Sequence, residues 1–339
     1  MIKYYLRKVY IYGQICFLVM ERNLALEFVR VTESAAIAAA KWVGKGDRDQ
    51  ADQAAVSSMR KNFNDLDIDG TIVIGEGERD EAPMLFIGEN VGNKKGMKID
   101  IAVDPLEGTN MTANGSLNAI CVLAAAPAGN LLRAPDTYMD KIAVGPKAKG
   151  VIDLDAKPKE NIEAVAGKLG KNVDEITVMI LERDRHKQLI EDVRKSGARV
   201  RLITDGDISG AISPAIEDSG IDMLMGIGAA PEGVIAAAAL KTLGGEIQGR
   251  LKFRNEEERA RAKKFGFLDD IDKKLLMEDM AKGDKVMFAA TGVTNGEMLR
   301  GVRFTNKGAI THSIVMRSYT GTVRFVEAHH DFKRKPGFR

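Results

Sequence analysis

The sequence predicts an α/β protein, and three observations carry that expectation. Between Glu175 and Leu243, short β-branched runs alternate with runs of helical spacing, the pattern of a mostly parallel sheet covered by helices. The chain has 339 residues, more than one compact core usually holds, so two lobes or one large layered unit are expected. Its 45% hydrophobic and 29% charged residues are those of an ordinary globular chain, which argues against disorder.

From Leu24 to Trp42 apolar residues recur at helical spacing, and Gly44 is placed to end the helix. Asp47 or Asp49 can cap a second helix running through Ala51, Ala54, Ala55 and Met59. Thr71 to Ile74 and Lys98 to Asp104 read as strands, each ending in an acid-bearing turn. Asn118 to Pro127 is a further strand, and the Gly-, Pro- and Asp-rich stretch from Ala128 to Gly150 reads as a long loop or irregular meander. A helix near Asn161 to Leu169 precedes the regular part. There, strands at Glu175 to Leu181, Arg199 to Thr204 and Asp222 to Ile227 alternate with helices at His186 to Lys195, Ile208 to Ile216 and Gly233 to Leu243. Val286 to Ala290, Ala309 to Arg317 and Thr322 to Glu327 complete the strands. No repeat or low-complexity linker divides the chain, and a lobe boundary near Glu182 is expected, giving lobes 20–181 and 182–339.

Lys and Arg number 50 against 48 Asp and Glu, so no basic excess exists to drive nucleic-acid binding, and an anionic ligand must be met locally. With Cys16 and Cys121 as the only cysteines, no disulfide framework or cysteine-based zinc site is available, and a cytoplasmic location fits. Lys3, Arg7 and Lys8 precede an apolar stretch from Val9 to Met20 that resembles a signal peptide but is too short to span a bilayer and lacks a small-residue cleavage site. Met20-Glu21-Arg22 offers a translation start, so residues 1–19 are read as an extension outside the folded unit.

The sharpest chemical signal is Asp104-Pro105-Leu106-Glu107-Gly108-Thr109, at the end of an alternating strand. Pro105 biases Asp104 towards an extended conformation and Gly108 relieves crowding in a tight turn. Asp104 and Glu107 can then point at one position. Two carboxylates this close repel unless a cation lies between them, and hard cations such as Mg²⁺ or Mn²⁺ prefer carboxylate and water oxygens. A lone Asp-Pro turn is most often merely solvated. Here Glu76, Glu78, Asp80 and Glu81 follow the preceding strand, Glu232 follows a later one and Asp52 opens the second helix. Ligands in open α/β sheets gather beyond the carboxyl ends of strands, where such groups can converge; Glu78 and Glu81 read as surface charge. Arg183 and Arg185, after another strand, can hold phosphate through charge-assisted hydrogen bonds, although Arg183-Asp184-Arg185 read alone is a solvated surface run.

These residues carry a resemblance. The Asp104 to Thr109 run, preceded by Gly75-Glu76-Gly77-Glu78, resembles the metal-binding signature of the lithium-sensitive, magnesium-dependent phosphomonoesterase superfamily. The finer similarity is to class II fructose-1,6-bisphosphatases, including cyanobacterial forms that also act on sedoheptulose 1,7-bisphosphate. It runs from Met20 to about Pro336, through Val31-Thr32-Glu33-Ser34-Ala35, Ile72 to Glu78, Asp80-Glu81-Ala82-Pro83-Met84, Ala134-Pro135-Asp136 and Ala230-Pro231-Glu232-Gly233.

The resemblance implies a layered α/β/α/β/α sandwich of the sugar phosphatase type. It implies metal ligands at Asp52, Glu76, Asp104, Glu107 and Glu232, with Mg²⁺ or Mn²⁺ as cofactor, and it gives Asp80 and Thr109 the task of orienting or deprotonating the attacking water. Substrate contacts are implied at Glu107, Gly108, Thr109, Tyr138, Arg183, Asp184, Arg185, Asp205, Gly206, Asp207 and Ala229. Class II enzymes usually have Gly at the position of Ala229 and Pro at that of Asp184. The implied reaction is hydrolysis of the 1-phosphate of fructose 1,6-bisphosphate by a metal-activated water, a step of gluconeogenesis, in a homodimer or homotetramer with no nucleic-acid or membrane partner. Sedoheptulose 1,7-bisphosphate hydrolysis is the nearest alternative and a non-catalytic sugar-phosphate sensor a remote one, disfavoured by the presence of both Asp80 and Thr109.

Reading residues 1–19 as an extension predicts that a chain starting at Met20 unfolds cooperatively at the midpoint of the full chain, as followed by circular dichroism. Loss of cooperative unfolding would instead mean that the apolar segment docks on the body.

Overall fold

The computed structural model describes residues 23–77, 83–265 and 270–334. Residues 23–40 form α1, and Asp47 caps α2 (Arg48–Phe63) by accepting the Gln50 N–H at 3.0 Å, as a short side-chain acceptor at a helix start should. Next come β1 (Ile68–Ile74), β2 (Asn90–Val91), β3 (Met97–Glu107), the short α3 (Thr109–Asn114) and β4 (Ile120–Pro127). The chain then crosses to a second sheet through β5 (Tyr138–Val144), α4 (Pro158–Leu169), β6 (Thr177–Leu181), α5 (Lys187–Lys195), β7 (Arg199–Ile203), α6 (Asp207–Ile212), β8 (Met223–Ala229), α7 (Ala230–Leu243) and β9 (Glu246–Lys252). After α8 (Glu256–Phe265) and α9 (Met277–Met280) it returns to the first sheet as β10 (Met287–Gly292), β11 (Arg303–Phe304), β12 (Gly308–Arg317) and β13 (Thr322–Asp331).

The first sheet has eight strands in the order β11-β12-β10-β4-β3-β1-β2, with β13 also paired to β12, and the second has five in the order β7-β6-β8-β5-β9. Three apolar clusters define five layers. Phe28 and Ala35 of α1 and Met59 and Phe63 of α2 pack on Ile72, Ile101 and Leu123 of the first sheet. On its other face Val122, Ala124 and Phe288 meet Val234, Ala237 and Leu240 of α7, which in turn cover Met139, Leu224 and Ile247 of the second sheet. The outer face of that sheet, at Ile142, Val178 and Met223, is closed by Ile162 and Val165 of α4 and Ile190 and Val193 of α5. This is the expected α/β/α/β/α sandwich.

Several expectations need correction. Pairing is mostly antiparallel: only β1 with β3, β6 with β7 and β6 with β8 are parallel among the described strands, because β5 enters between β8 and β9 and runs against both. The stretch from Ala128 to Gly150 is not all loop. Its Gly, Pro and Asp residues flank β5, whose central Asp140-Lys141 obscures the alternation of buried Met139, Lys141 and Ala143 with Ile142 and Val144. A strand at β9 was not foreseen either. The sheets do not divide the chain near Glu182, since β5 and β6 already belong to the second one.

Central α7 explains its own composition. Ala236, Ala237, Ala238 and Ala239 are at most 1% exposed, and small residues let two sheets close on opposite sides of one helix. Ala237→Leu should therefore overpack the middle layer and lower stability by about 1–3 kcal/mol, read from chemical denaturation. An unchanged midpoint would show that the layer has room to spare.

Candidate active site

The acid-bearing motif is not a turn beyond a strand but a bulge within one. β3 continues to Glu107, and its register against β4 shifts between Asp104, opposite Val122, and Glu107, opposite Ile120. Residues three apart on a regular strand face opposite ways; one extra residue re-aims the strand, and it tolerates Pro105, which has no N–H for the ladder. Asp104 Oδ1 accepts the Leu106 N–H at 3.1 Å. Gly108, with φ of 88°, makes the left-handed turn into α3, so that Thr109 opens that helix. The turn after α1 then docks on α3 through Gly44 N–H to Thr112 O and Gly46 N–H to Ala113 O, both 2.9 Å, which brings the start of α2, and Asp52, to the same place.

Glu107 bridges the two sheets. Its carboxylate, 3% exposed, accepts the Ile208 N–H at 2.6 Å and the Ser209 hydroxyl at 3.2 Å, at the amino end of α6, where backbone N–H groups lack helical partners. Beside it, Lys141 of β5 reaches from the second sheet to the Asp207 carboxylate and to Ala229 O at 3.0 Å. Both members of that pair are nearly inaccessible, so removing either would cost about 3–5 kcal/mol. Gly228 is required here: a Cβ on it would lie 1.7 Å from Asp207 Oδ2 and 2.8 Å from Lys141 Nζ. Glu232, in the first turn of α7, accepts the Ala229 N–H at 3.3 Å and shares a hydrogen bond with Asp207.

The electrostatics follow from this crowding. Burial, then the charges of Asp52 and Asp104, push Glu76 up to about 8. Burial and Asp52 push Asp104 up to about 7 against the Leu106 hydrogen bond. Glu107 is raised well above the carboxylate range by burial and by Asp104 and Asp207. Asp52 is raised mainly by burial. Burial also opposes ionisation of Asp207, but Lys141 outweighs it and holds Asp207 low, while burial and the Asp207 charge drive Glu232 well up. Asp52, Glu76, Asp104, Glu107 and Glu232 are therefore brought into one electrostatic neighbourhood. Among the described residues, however, no three His, Cys, Asp or Glu side chains form a ready-made metal cage.

The expected phosphate-binding side is arranged differently from a simple arginine pair. Arg185 lies over the Tyr138 ring at 4.7 Å and donates to Ile227 O at 3.1 and 2.7 Å. Exposed Arg183 donates to Glu182 O at 2.9 Å and favours ionised Asp205, while burial raises Asp205 overall. Asp184 is paired with Lys187 at 2.8 Å. Gly206, with φ of 86°, precedes α6, and Asp207 is turned inward to Lys141. Ala229 lies opposite Tyr138 across the β8–β5 ladder. Asp80, with Glu78 and Glu81, lies outside the described residues.

Sequence reasoning missed Lys141, Ser209 and Gly228. The available signal was a lysine on the apolar Met139-Lys141-Ala143 face of a strand, next to none of the motifs. His186 is also used internally: its Nδ1 lies 2.7 Å from Leu181 O and its Nε2 accepts the Ile227 N–H at 2.8 Å, which ties β6 to β8 just behind Arg185. Burial holds its pKa below the usual histidine value.

The sequence profile described as bacterial fructose-1,6-bisphosphatase, glpX-encoded, matches residues 22–330. A protein of Synechococcus sp. (strain JA-3-3Ab) named D-fructose 1,6-bisphosphatase class 2/sedoheptulose 1,7-bisphosphatase is 48% identical over 334 residues, 92% of this chain and 96% of its own. The Escherichia coli (strain K12) protein named fructose-1,6-bisphosphatase 1 class 2 is 47% identical over 329 residues, 93% of this chain and 97% of its own.

An acid whose pKa is raised on folding binds more protons folded than unfolded, so stability falls as pH climbs from the unfolded value towards the folded one. For Glu76 that window runs from 4.5 to about 8. Metal-free protein should accordingly lose thermal stability between these limits, and Glu76→Gln should be more stable than the parent at pH 8 by more than about 1 kcal/mol. A Gln variant less stable at pH 8 would contradict the crowding of charge.

Proposed function

The chain belongs to the bacterial, glpX-encoded fructose-1,6-bisphosphatase family, and we propose that it is a cytoplasmic, divalent-metal-dependent phosphatase that cleaves the 1-phosphate of fructose 1,6-bisphosphate to leave fructose 6-phosphate. The observation that carries this reading is the set of clustered, half-buried carboxylates, with Glu76 raised to about 8 and Asp104 to about 7 by partial loss of solvent and by neighbouring carboxylate charges. Such a set costs free energy when ionised unless cations join it.

The donor set fits Mg²⁺ or Mn²⁺. These ions accept one or two carboxylates each and fill the remaining positions with water and phosphate oxygens, which suits carboxylates that raise one another's pKa. Asp52, Glu76, Asp104, Glu107 and Glu232 would hold them. When bound, they supply charge neutralisation at the phosphoryl oxygens and make water more acidic. The chain's own groups do the rest. Thr109, at the start of α3, holds the attacking water through its hydroxyl, with Asp80 as its partner. Glu107, Gly108, Asp205 and Gly206 line the approach beside α3 and α6. Arg185, stacked on Tyr138, and Arg183 hold the phosphate that is not cleaved. Asp184 is paired to Lys187, so it need not oppose that phosphate. The Ala229 methyl group narrows the backbone opposite Tyr138.

A seven-carbon bisphosphate is a second reading, favoured by the Synechococcus relatives named for both activities. A homodimer or homotetramer is the proposed assembly. Among the described residues no helix is long and apolar enough to cross a membrane.

Chelation with EDTA should abolish phosphate release from fructose 1,6-bisphosphate, and Mg²⁺ or Mn²⁺ should restore it. With metal present, Thr109→Ala should lower kcat by about 100-fold with a smaller change in KM, because positioning the nucleophile matters chiefly in the transition state. Turnover that survives chelation, or an Ala variant with kcat unchanged, would sink the reading.

A further inference from the structure

Tyr138, at the start of β5, carries two guanidiniums over one ring. Arg185 is 4.7 Å from the centroid and Arg254 5.4 Å, both within the range of a cation–π contact. Arg254 comes from a different element: Lys252 is opposite Tyr138 on β9, and Arg254 follows two residues later, before α8. Ala229, Tyr138 and Lys252 are register partners on three adjacent strands, so Arg254 belongs to the same end of the second sheet as the substrate contacts proposed above.

Both guanidiniums are anchored from behind. Arg185 spends Nε and Nη2 on Ile227 O. Arg254 donates through Nε to Glu258, whose carboxylate also accepts the Arg254 N–H at 2.8 Å and the Thr137 hydroxyl at 3.0 Å. Glu258 is itself 7% exposed, a buried carboxylate spent on orienting one half-exposed arginine. Among the described residues, Nη1 of Arg185 and both Nη atoms of Arg254 make no hydrogen bond. Two like charges fixed at one ring repel each other, and a dianionic phosphate between them would relieve that repulsion while accepting from the unused N–H groups. Glu258 is the main electrostatic partner of Arg254, with Asp136 and Tyr138 adding to it.

We infer that Arg254 is a substrate-binding residue that, with Arg185, clamps the phosphate remote from the one being cleaved. The inference rests on the bisphosphatase reading. Tyr138 is the common ring against which both guanidiniums rest, and Glu258 is a positioning residue for Arg254.

The test compares the parent protein, Arg254→Gln and Arg254→Lys in the presence of Mg²⁺. Calorimetry gives the Kd of fructose 6-phosphate, which carries the remote phosphate alone. Kinetics give the ratio of kcat/KM for fructose 1,6-bisphosphate to that for fructose 1-phosphate, which lacks it. Arg254→Gln should weaken fructose 6-phosphate about tenfold and lower the ratio by a similar factor, with Arg254→Lys in between. Values within about twofold of the parent would overturn the inference, as would an equal loss with both substrates, the mark of a structural role. A parent that binds fructose 6-phosphate in an Arg254-dependent way yet releases no phosphate supports the clamp and refutes the reaction. A parent that binds no fructose 6-phosphate refutes the clamp, and the reaction falls with it only if no phosphate is released from fructose 1,6-bisphosphate either.

Discussion

Negative charge buried where the two sheets meet is the constraint around which the molecule is arranged. Glu107 can remain in that place only because α6 aims unpaired N–H groups at it, and α6 begins there only because Gly206 permits its left-handed entry. Asp207, one residue on, is offset by a lysine delivered from another strand. The contact is so close that the chain must have glycine at position 228. Helix dipole, buried ion pair and glycine are thus one solution to one desolvation cost. That solution is incomplete. Lys141 neutralises Asp207, but Glu76, Asp104 and Glu107 still raise one another's pKa or are raised by their neighbours, and the remaining imbalance is what a divalent cation would remove.

Charge is sorted across the site. Acids collect at the bulge of β3 and the start of α2, whereas guanidiniums collect around Tyr138 at the end of β5. In the function proposed above, a ligand with a phosphate at each end would enter productively only with the cleaved group towards the acids and the cations they would hold. Since the chain as a whole carries a formal charge of only +2, this local sorting, rather than the overall field, selects a doubly phosphorylated substrate. His186 supports the guanidinium side by pinning β6 to β8 immediately behind Arg185.

Much of this was legible in the sequence where the chemistry is local. Asp104 and Glu107 announce themselves by spacing, and the alternation from Glu175 to Leu243 gives β6, β7 and β8 of the second sheet with their helices, though not β5 or β9. The parallel order of β6, β7 and β8 was legible as well, but the orientation of the whole sheet was not. Parallel order was expected because βαβ units normally give it, but β5 is supplied from a segment whose flanking glycines, prolines and acids read as loop, and it reverses the pairing on both sides. The Asp104–Glu107 segment read as a turn because Pro105 is unwelcome in a regular strand, and a bulge gives the same signal. Lys141 and Arg254 could not have been found by motif. Their roles come from partners 66 residues away in one case and from an aromatic ring on a neighbouring strand in the other, and such pairings exist only once the sheet has formed.

The central claim is that the buried acids hold protons until a divalent cation replaces them. Calorimetric titration of metal-free protein with Mn²⁺ near pH 6.5, in buffers of differing ionisation enthalpy, counts the protons released per ion bound. With Glu76 raised to about 8 and Asp104 to about 7, binding should release on the order of one proton or more, and Glu76→Gln should reduce that number. Binding with no proton release, or no binding of Mn²⁺ at all, would contradict the account.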